Sequence, residues 1–474
     1  MSSLLSHWDE DEPIEQYPWP TLGEYEGPAR AIYAVIKEER QERAVSVEME
    51  EVLLEVAARH VDQAQQNPSR YGLTSMVADK LATSRGYRDG LVQATAVLSS
   101  AFYPMSLLIY MMGGIEEIQC RSAKEWLIMQ GGQALALDPS TAPFAKDEEV
   151  IQLFVKVCSM EGRIGSNRFD HNHPLAEATL GSIGRLSAQM YPVVSRGSSV
   201  QAAFRIFNIS SIYSLEQYVQ MGCFPASIAD VLRKMVRRRV SIIVGGGTSS
   251  GKTTLLRNLC GVTAKGRRLV VIEQGAELRL DTLRPVTVER DGQLVQVMEP
   301  WVEWELALAT TASALGGPTD EIITMGDLMR HALRLTPDIL VLGEARGQEC
   351  YDCLGVMATG HEGSMMTIHA NSVEGVRDRL VTLVMEHPVS GQSEAFANRI
   401  VRDSAEVLIH LRRDFDGVRR LTGIGCLDAG GNVQWIYRRD DKRVLRRVTR
   451  SVREIHKIAD RMEGAFPGDE WPEV

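Results

Sequence analysis

The 474-residue sequence predicts an α/β chain organised around a parallel sheet, preceded by a small α+β domain and a helical N-terminal extension. Three observations carry that expectation. "SIIVGGGTSSGKTTLLRNL", Ser241 to Leu259, joins a β-branched run, a glycine-rich loop and a helix-forming run in direct succession. Downstream, "RRLVVIEQ" and "PDILVLGEARG" are short apolar runs of the kind that fill a sheet covered on both faces. Upstream, from about Leu98 to Ser211, strand-like runs such as "EWLIMQ" and "AAFRIFNIS" are punctuated by Gly, Pro and Asn, the texture of a smaller mixed domain.

Taken in chain order, residues 1–97 open with "HWDEDEPIEQYPWP", which reads as an acidic flexible lead. Between Arg30 and Gln65 apolar residues recur at helical spacing among many charges, as one or two amphipathic helices require. Gly90 to Ile115 carries no charged residue and is long enough to span a bilayer. Gln93, several serines, Pro104, a diglycine and the lack of a following basic cluster instead favour a buried helix pair. Residues 98–211 form the expected α+β domain. "ASIADVLRKMVRRRV" then predicts a helix leading into the phosphate-binding domain, 212–445, in which the Asp-Gly of "FDGVRRL" marks a turn between two strands. Residues 446–474 are expected to be a tail.

Composition narrows the partners. A hydrophobic content of 44% supplies ample core, and a formal charge of -10 gives no basic face for tracking nucleic acid, so stable nucleic-acid binding is not expected. Seven cysteines without disulfide-like spacing fit a reducing compartment, and the acidic start does not resemble an export signal, so the expected location is cytoplasmic.

Gly246 to Thr253 satisfies G-x-x-x-x-G-K-[ST] between a strand and a helix, the context in which backbone N–H groups and a helix N-terminus cradle phosphates. Gly246, Gly247, Thr248, Ser249, Ser250, Gly251, Lys252, Thr253 and Thr254 are the expected nucleotide-contacting set. Lys252 would neutralise the β- and γ-phosphates and the Thr253 hydroxyl would ligate Mg²⁺. Glu344 ends the strand "ILVLGE", where a carboxylate either activates water or caps the following helix. In "TGHEGSMMTIHANS", His361 and His369 flank a small-residue stretch; by spacing alone they could be metal ligands, core residues or γ-phosphate sensors.

"LMRHALRLTPDILVLGEARGQECYDCLGVMATGHEGSMMTIHANS" resembles the core of the secretion ATPase superfamily, hexameric motors of type II secretion, type IV secretion and type IV pilus systems. Its wording is most similar to the tight-adherence pilus and type IV secretion branch, and the similarity runs from about Leu98 to Cys426. The resemblance implies a RecA-like P-loop domain after a small PAS-like α+β domain, with ATP and Mg²⁺ as ligands. It makes Glu344 the Walker B carboxylate, Glu273 and Glu277 of "VVIEQGAEL" the acidic-box residues, and His361 and His369 the His-box residues, with His369 facing the γ-phosphate. Gln274 stands where the family has Asp. "RFDHNHPLAEATLGSIGRLSAQMYP" places Arg168 and Arg185 on two arginines that reach the nucleotide from beside it, and "FRIF" places Arg205 and Phe207 at the domain's close; Thr179 replaces a further arginine. The implied assembly is a homo-hexamer held by inner-membrane secretion or pilus platform proteins, peripheral to the membrane through those partners. A ring-shaped nucleic-acid motor and a nucleotide-gated scaffold with little hydrolysis are the competing readings.

Other motifs have plainer readings. Asp170 to His173, "DHNH", would set two imidazoles on one strand face, and Cys350 with Cys353 spells C-x-x-C on a helix, most simply two small core or surface residues. Arg330 and Arg334 share a helix face and either line an interface or pair locally, while "RKMVRRR" is a solvated face or a lipid-attracting one.

Overall fold

The computed structural model describes residues 16–40, 53–130, 133–160, 168–180, 183–194, 199–207, 214–263, 266–273, 277–280, 283–290, 293–300, 302, 304–309, 324–388 and 393–474. They divide into two compact units, one ending at residue 207 and one beginning at 214.

The first unit combines helices Glu26–Arg40, Leu53–Gln66, Ser75–Thr83 and Arg85–Ser99 with a sheet of β1 (Gln16–Tyr17), β2 (Ile115–Cys120), β3 (Trp126–Gln130), β4 (Gln133–Leu137), β5 (Leu175–Leu180), β6 (Gly184–Met190) and β7 (Val200–Ile206). The sheet order is β1-β4-β3-β2-β7-β6-β5, antiparallel except for β1 against β4. Ile32, Ala57, Val61 and Leu91 show why the charged helical stretch folds: each helix turns an apolar stripe into one shared core. The segment read as a flexible lead ends in order, because β1 adds to the sheet and Trp19 packs edge-on to Trp126 (5.4 Å) and near Phe144 (6.2 Å). The uncharged stretch from Gly90 breaks at Ser99, resumes as the short helix Ser106–Met111 and passes into β2. No helix among the described residues is long and apolar enough to cross a membrane. "DHNH" is a tight turn closed by the Asp170–His173 bridge, with the His173 ring 3.0 Å from the Asp170 carboxylate, and not the strand expected. Among the described residues no His, Cys and acid cluster could hold a metal.

The second unit holds β8 (Ile242–Gly246), β9 (Arg268–Glu273), β10 (Leu283–Arg290), β11 (Gln293–Pro300), β12 (Trp304–Ala309), β13 (Ile339–Ala345), β14 (Met365–His369), β15 (Val407–Arg413), β16 (Arg419–Leu427), β17 (Val433–Arg439) and β18 (Leu445–Arg447). β10 and β11 form a separate hairpin; the other nine make one sheet ordered β12-β9-β13-β14-β8-β15-β16-β17-β18, parallel up to β15 and antiparallel beyond it. The apolar runs alternate between two cores. Ile242, Val244, Leu269, Val271, Ile339 and Val341 face one core with helices Ala226–Arg237 and Lys252–Cys260. Ile243, Val270, Ile272, Leu340 and Leu342 face the other, with helices Glu349–Ala358 and Val373–Met385. A period of two with apolar residues at both phases dictates such a sheet, covered by helices on each side.

The two cysteines of C-x-x-C, Cys350 and Cys353, lie fully buried in the second core, and burial pushes both thiols up. The basic run is structural at its end: Arg238 donates to the carbonyls of Arg461 and Glu463, and Arg239 to those of Glu362 and Asp338. Residues 446–474, expected as a tail, send Ile455, Ile458, Met462, Phe466 and Trp471 into the core that also receives β8.

Candidate functional site

Parallel strands end together, so the C-terminal edge of the sheet collects whatever residues terminate them. Here Gly246, Glu273, Glu344 and His369 arrive at that edge at the ends of β8, β9, β13 and β14, and the β14–β8 register sets His369 directly opposite Gly246.

After β8 the chain turns through Gly247 to Gly251 and enters the helix Lys252–Cys260. Two glycines are required by geometry. A side chain on Gly246 would come within 2.5 Å of the Leu411 carbonyl, and Gly251 takes the left-handed conformation (φ 90°) at the helix N-cap. Lys252 is buried and donates from Nζ to the Gly247 carbonyl (2.9 Å). The Ser250 hydroxyl is buried and has no hydrogen-bond partner among the described residues, as expected of a group that completes its bonding with an anion in the loop.

Beside the loop lies a cavity of about 270 Å³ lined by Thr253, Glu273, Glu277, Gly343, Glu344 and Arg346, among others. Four predicted site residues from three separate stretches of sequence thus share one space. Glu273 is the most buried of the acids. Its Oε2 accepts from the backbone N–H groups of Glu277 (2.8 Å) and Leu278 (3.0 Å), but burial dominates and raises its carboxyl to about 7. Because the folded carboxyl keeps its proton longer than the unfolded one, this group lowers stability as pH rises from about 4.5 to about 7. Glu273→Gln preserves the acceptor oxygen and removes the titration. The variant is expected to gain on the parent by up to roughly 3 kcal/mol across that window, checked by urea unfolding at a series of pH values.

Glu344 Oε2 accepts from Arg346 Nε (2.8 Å), and His369 Nε2 lies 2.6 Å from Oε1. The helix that follows has no side-chain cap, and Glu349 Oε1 accepts from the N–H groups of Arg346 (2.6 Å) and Gly347 (2.8 Å) in the turn before it. Glu344 therefore has no capping duty. His361 is not brought to this edge. It precedes the five-residue strand β14 at its opposite end, roughly 15 Å away by strand rise, beside Ser364, whose hydroxyl donates to the His361 carbonyl (2.7 Å). The eight-residue spacing of the two histidines thus spans the sheet instead of converging on one group.

Arg168 and Arg185 belong to the first unit. Arg168 is exposed, and Arg185, opposite Thr179 in the β5–β6 register, pairs with Glu177 (2.7 Å). Arg330 pairs with Asp327 within its own helix. Gln274 lies outside the described residues. Sequence reasoning passed over Arg346, Glu349, His410 and Arg419. His410, buried on β15, contacts the Ala370 carbonyl (3.1 Å) and Thr422 (2.6 Å), and burial lowers its pKa, so the neutral ring ties β14's exit to β16. The only sequence signal for Arg346, Glu349 and Arg419 is their nearness to strand ends, and His410, in the middle of β15, carries none.

Over residues 115–407 the chain matches the family model described as "Type II/IV secretion system protein". The chain belongs to that family. A putative conjugal transfer protein of Mycobacterium tuberculosis is 30% identical over 298 residues, covering 61% of this chain and 76% of the relative. The type IV secretion system protein PtlH of Bordetella pertussis is 35% identical over 162 residues, 34% of this chain and 41% of the relative. The crystal structure of the VirB11 ATPase from the Brucella suis type IV secretion system covers 66% of this chain and 89% of that chain, at 22% identity and a TM-score of 0.34. In this type II/IV secretion family member the matched span stops at 407, so the phosphate loop and all its acidic neighbours lie inside it and the antiparallel strands β16 to β18 lie beyond it.

Proposed function

We propose that this chain is an ATPase motor subunit that hydrolyses ATP to drive type IV secretion or pilus assembly. In this reading it works as a homo-hexamer at the cytoplasmic face of the inner membrane, docked on platform proteins. The single observation that carries it is the cavity where Thr253, Glu273, Glu277 and Glu344 stand beside a P-loop lysine.

A magnesium nucleotide asks for few protein donors: the Thr253 hydroxyl with one or two of these carboxylates would leave room for waters and phosphate oxygens, as an octahedral Mg²⁺ requires, without a cluster of three acids. Bound there, the ion would neutralise charge on the phosphate oxygens. Lys252 would exchange the Gly247 carbonyl for phosphate. Glu344, free of capping, would orient the attacking water and take its proton, with His369 beside it to meet the γ-phosphate. Glu273 would hold the 277–278 turn and ionise as the cation enters. The family resemblance makes Arg168 and Arg185 of the PAS-like first domain the candidate guanidinium groups that would offset charge on the transferred phosphoryl group.

Phosphate release by the purified full chain with MgATP tests the reading. Wild-type protein is expected to turn over ATP, and Lys252→Ala to fall to the background rate, since a buried cation facing phosphate has no substitute in the loop. Wild-type turnover no higher than that of Lys252→Ala would remove the motor.

A further inference from the structure

We propose that Arg419 is a positioning residue of the phosphate loop, a brace supplied from the β15–β16 hairpin that holds the loop in its phosphate-cradling form before nucleotide arrives. The inference rests on nucleotide binding at this loop and concerns a residue beyond the family-matched span.

The register explains how a distant hairpin reaches the loop. Leu411 on β15 lies opposite Gly246, the last residue of β8, so Arg412 and Arg413 carry β15 past the sheet edge alongside the loop, and β16 begins there with Arg419 opposite Arg413. Arg419 Nε donates to the Ser249 carbonyl (3.0 Å), and its Cδ sits 3.1 Å from where a Gly251 side chain would begin. These two loop residues take left-handed backbone. Gly251 (φ 90°) does so freely as a glycine, whereas Ser249 (φ 56°) is a non-glycine residue held there at a steric cost. A charge-assisted bond to the Ser249 carbonyl offsets that cost in the conformation where the loop N–H groups turn inward.

The brace is itself anchored. Arg412, Arg420 and Arg439 converge on the buried Asp414 carboxylate at 3.2, 2.9 and 2.8 Å, and Arg420 also holds Asp416 at 2.7 Å. Three guanidinium groups on one carboxylate fix the hairpin between β15 and β16, and so fix where Arg419 starts. The nucleotide chemistry proposed above makes no use of that buried acid; holding this hairpin gives it a purpose.

Two readouts on the full chain test the brace: amide hydrogen exchange of residues 246–251 without nucleotide, and MgADP affinity by calorimetry. Arg419→Ala is expected to speed exchange in the loop while helix Val373–Met385 is unchanged, and to weaken MgADP about tenfold; Arg419→Lys should recover part of both. Arg413→Ala, across the same hairpin, should change neither. The proposal is overturned if Arg419→Ala leaves both quantities within twofold of wild type, or if Arg413→Ala loosens the loop equally. Wild-type protein without Lys252-dependent MgADP binding would instead sink the nucleotide reading, and loop exchange would still decide the brace.

Discussion

Glu344→Gln is expected to slow phosphate release by on the order of 10²–10⁴ at saturating MgATP while nucleotide affinity stays within a few-fold. The substitution keeps the side chain's size and one acceptor oxygen, and it removes the charge and basicity that water activation needs. Its structural cost is small. Glu344 caps no helix, since the helix after it has no side-chain cap, and the contacts it loses, to Arg346 and His369, involve partners about half exposed (51% and 47%). Pairs of that exposure contribute roughly 0–1 kcal/mol. Steady-state phosphate release measured beside MgATP binding separates the two effects. A rate unchanged by the substitution would move water activation to Glu273 or Glu277, the other acids in the cavity. Weakened binding at an unchanged rate would make Glu344 a ligand-holding group.

The placement of these groups was readable in sequence where local pattern and local structure coincide. The P-loop motif is contiguous, and its strand, loop and helix are neighbours along the chain. Glu344 was legible because it terminates an apolar run, and parallel strands deliver their last residues to one edge; Glu273, named by the family resemblance alone, reaches the same edge at the end of β9. What stayed hidden depends on distant partners. Trp19 looked like part of a disordered acidic lead because Trp126 and Phe144, which bury it, are more than a hundred residues away. By spacing alone His361 and His369 were equivalent, because spacing does not say where the strand between them starts, and only the resemblance singled out His369; β14 begins at Met365 and sets them at opposite ends of that strand. Arg419 carries no motif and follows the loop it touches by some 170 residues. Arg168 and Arg185 remain assigned by resemblance, in a unit separate from the loop.

The second large effect is expected far from the nucleotide, at Trp471. Trp471→Ala should destabilise the second unit by about 3–5 kcal/mol, the range for emptying a buried aromatic site. The charge pattern of the C-terminal residues suggests a different anchor, because Arg450 pairs with Glu470 (3.1 Å) and Arg453 with both Glu463 and Asp469 (3.0 Å each). Magnitudes decide between them: Arg450 and Arg453 are mostly exposed, so each pair is worth roughly a kcal/mol or less and is screened by salt. Trp471 is fully buried, packs 5.6 Å from Phe466, and has its backbone N–H on the Arg450 carbonyl (2.9 Å). Tyr437 reinforces it by donating to the Pro472 carbonyl (2.9 Å). Urea unfolding should therefore show a large loss for Trp471→Ala, a smaller one for Trp471→Phe, and almost none for Glu470→Gln or for raised salt. The same core contains Val244 of β8 and Leu255 of the helix after the loop, so the Trp471→Ala protein should also lose MgADP binding at temperatures where the wild type retains it. If Glu470→Gln costs as much as Trp471→Ala, ion pairing and not burial holds the C-terminal segment to the nucleotide-binding unit.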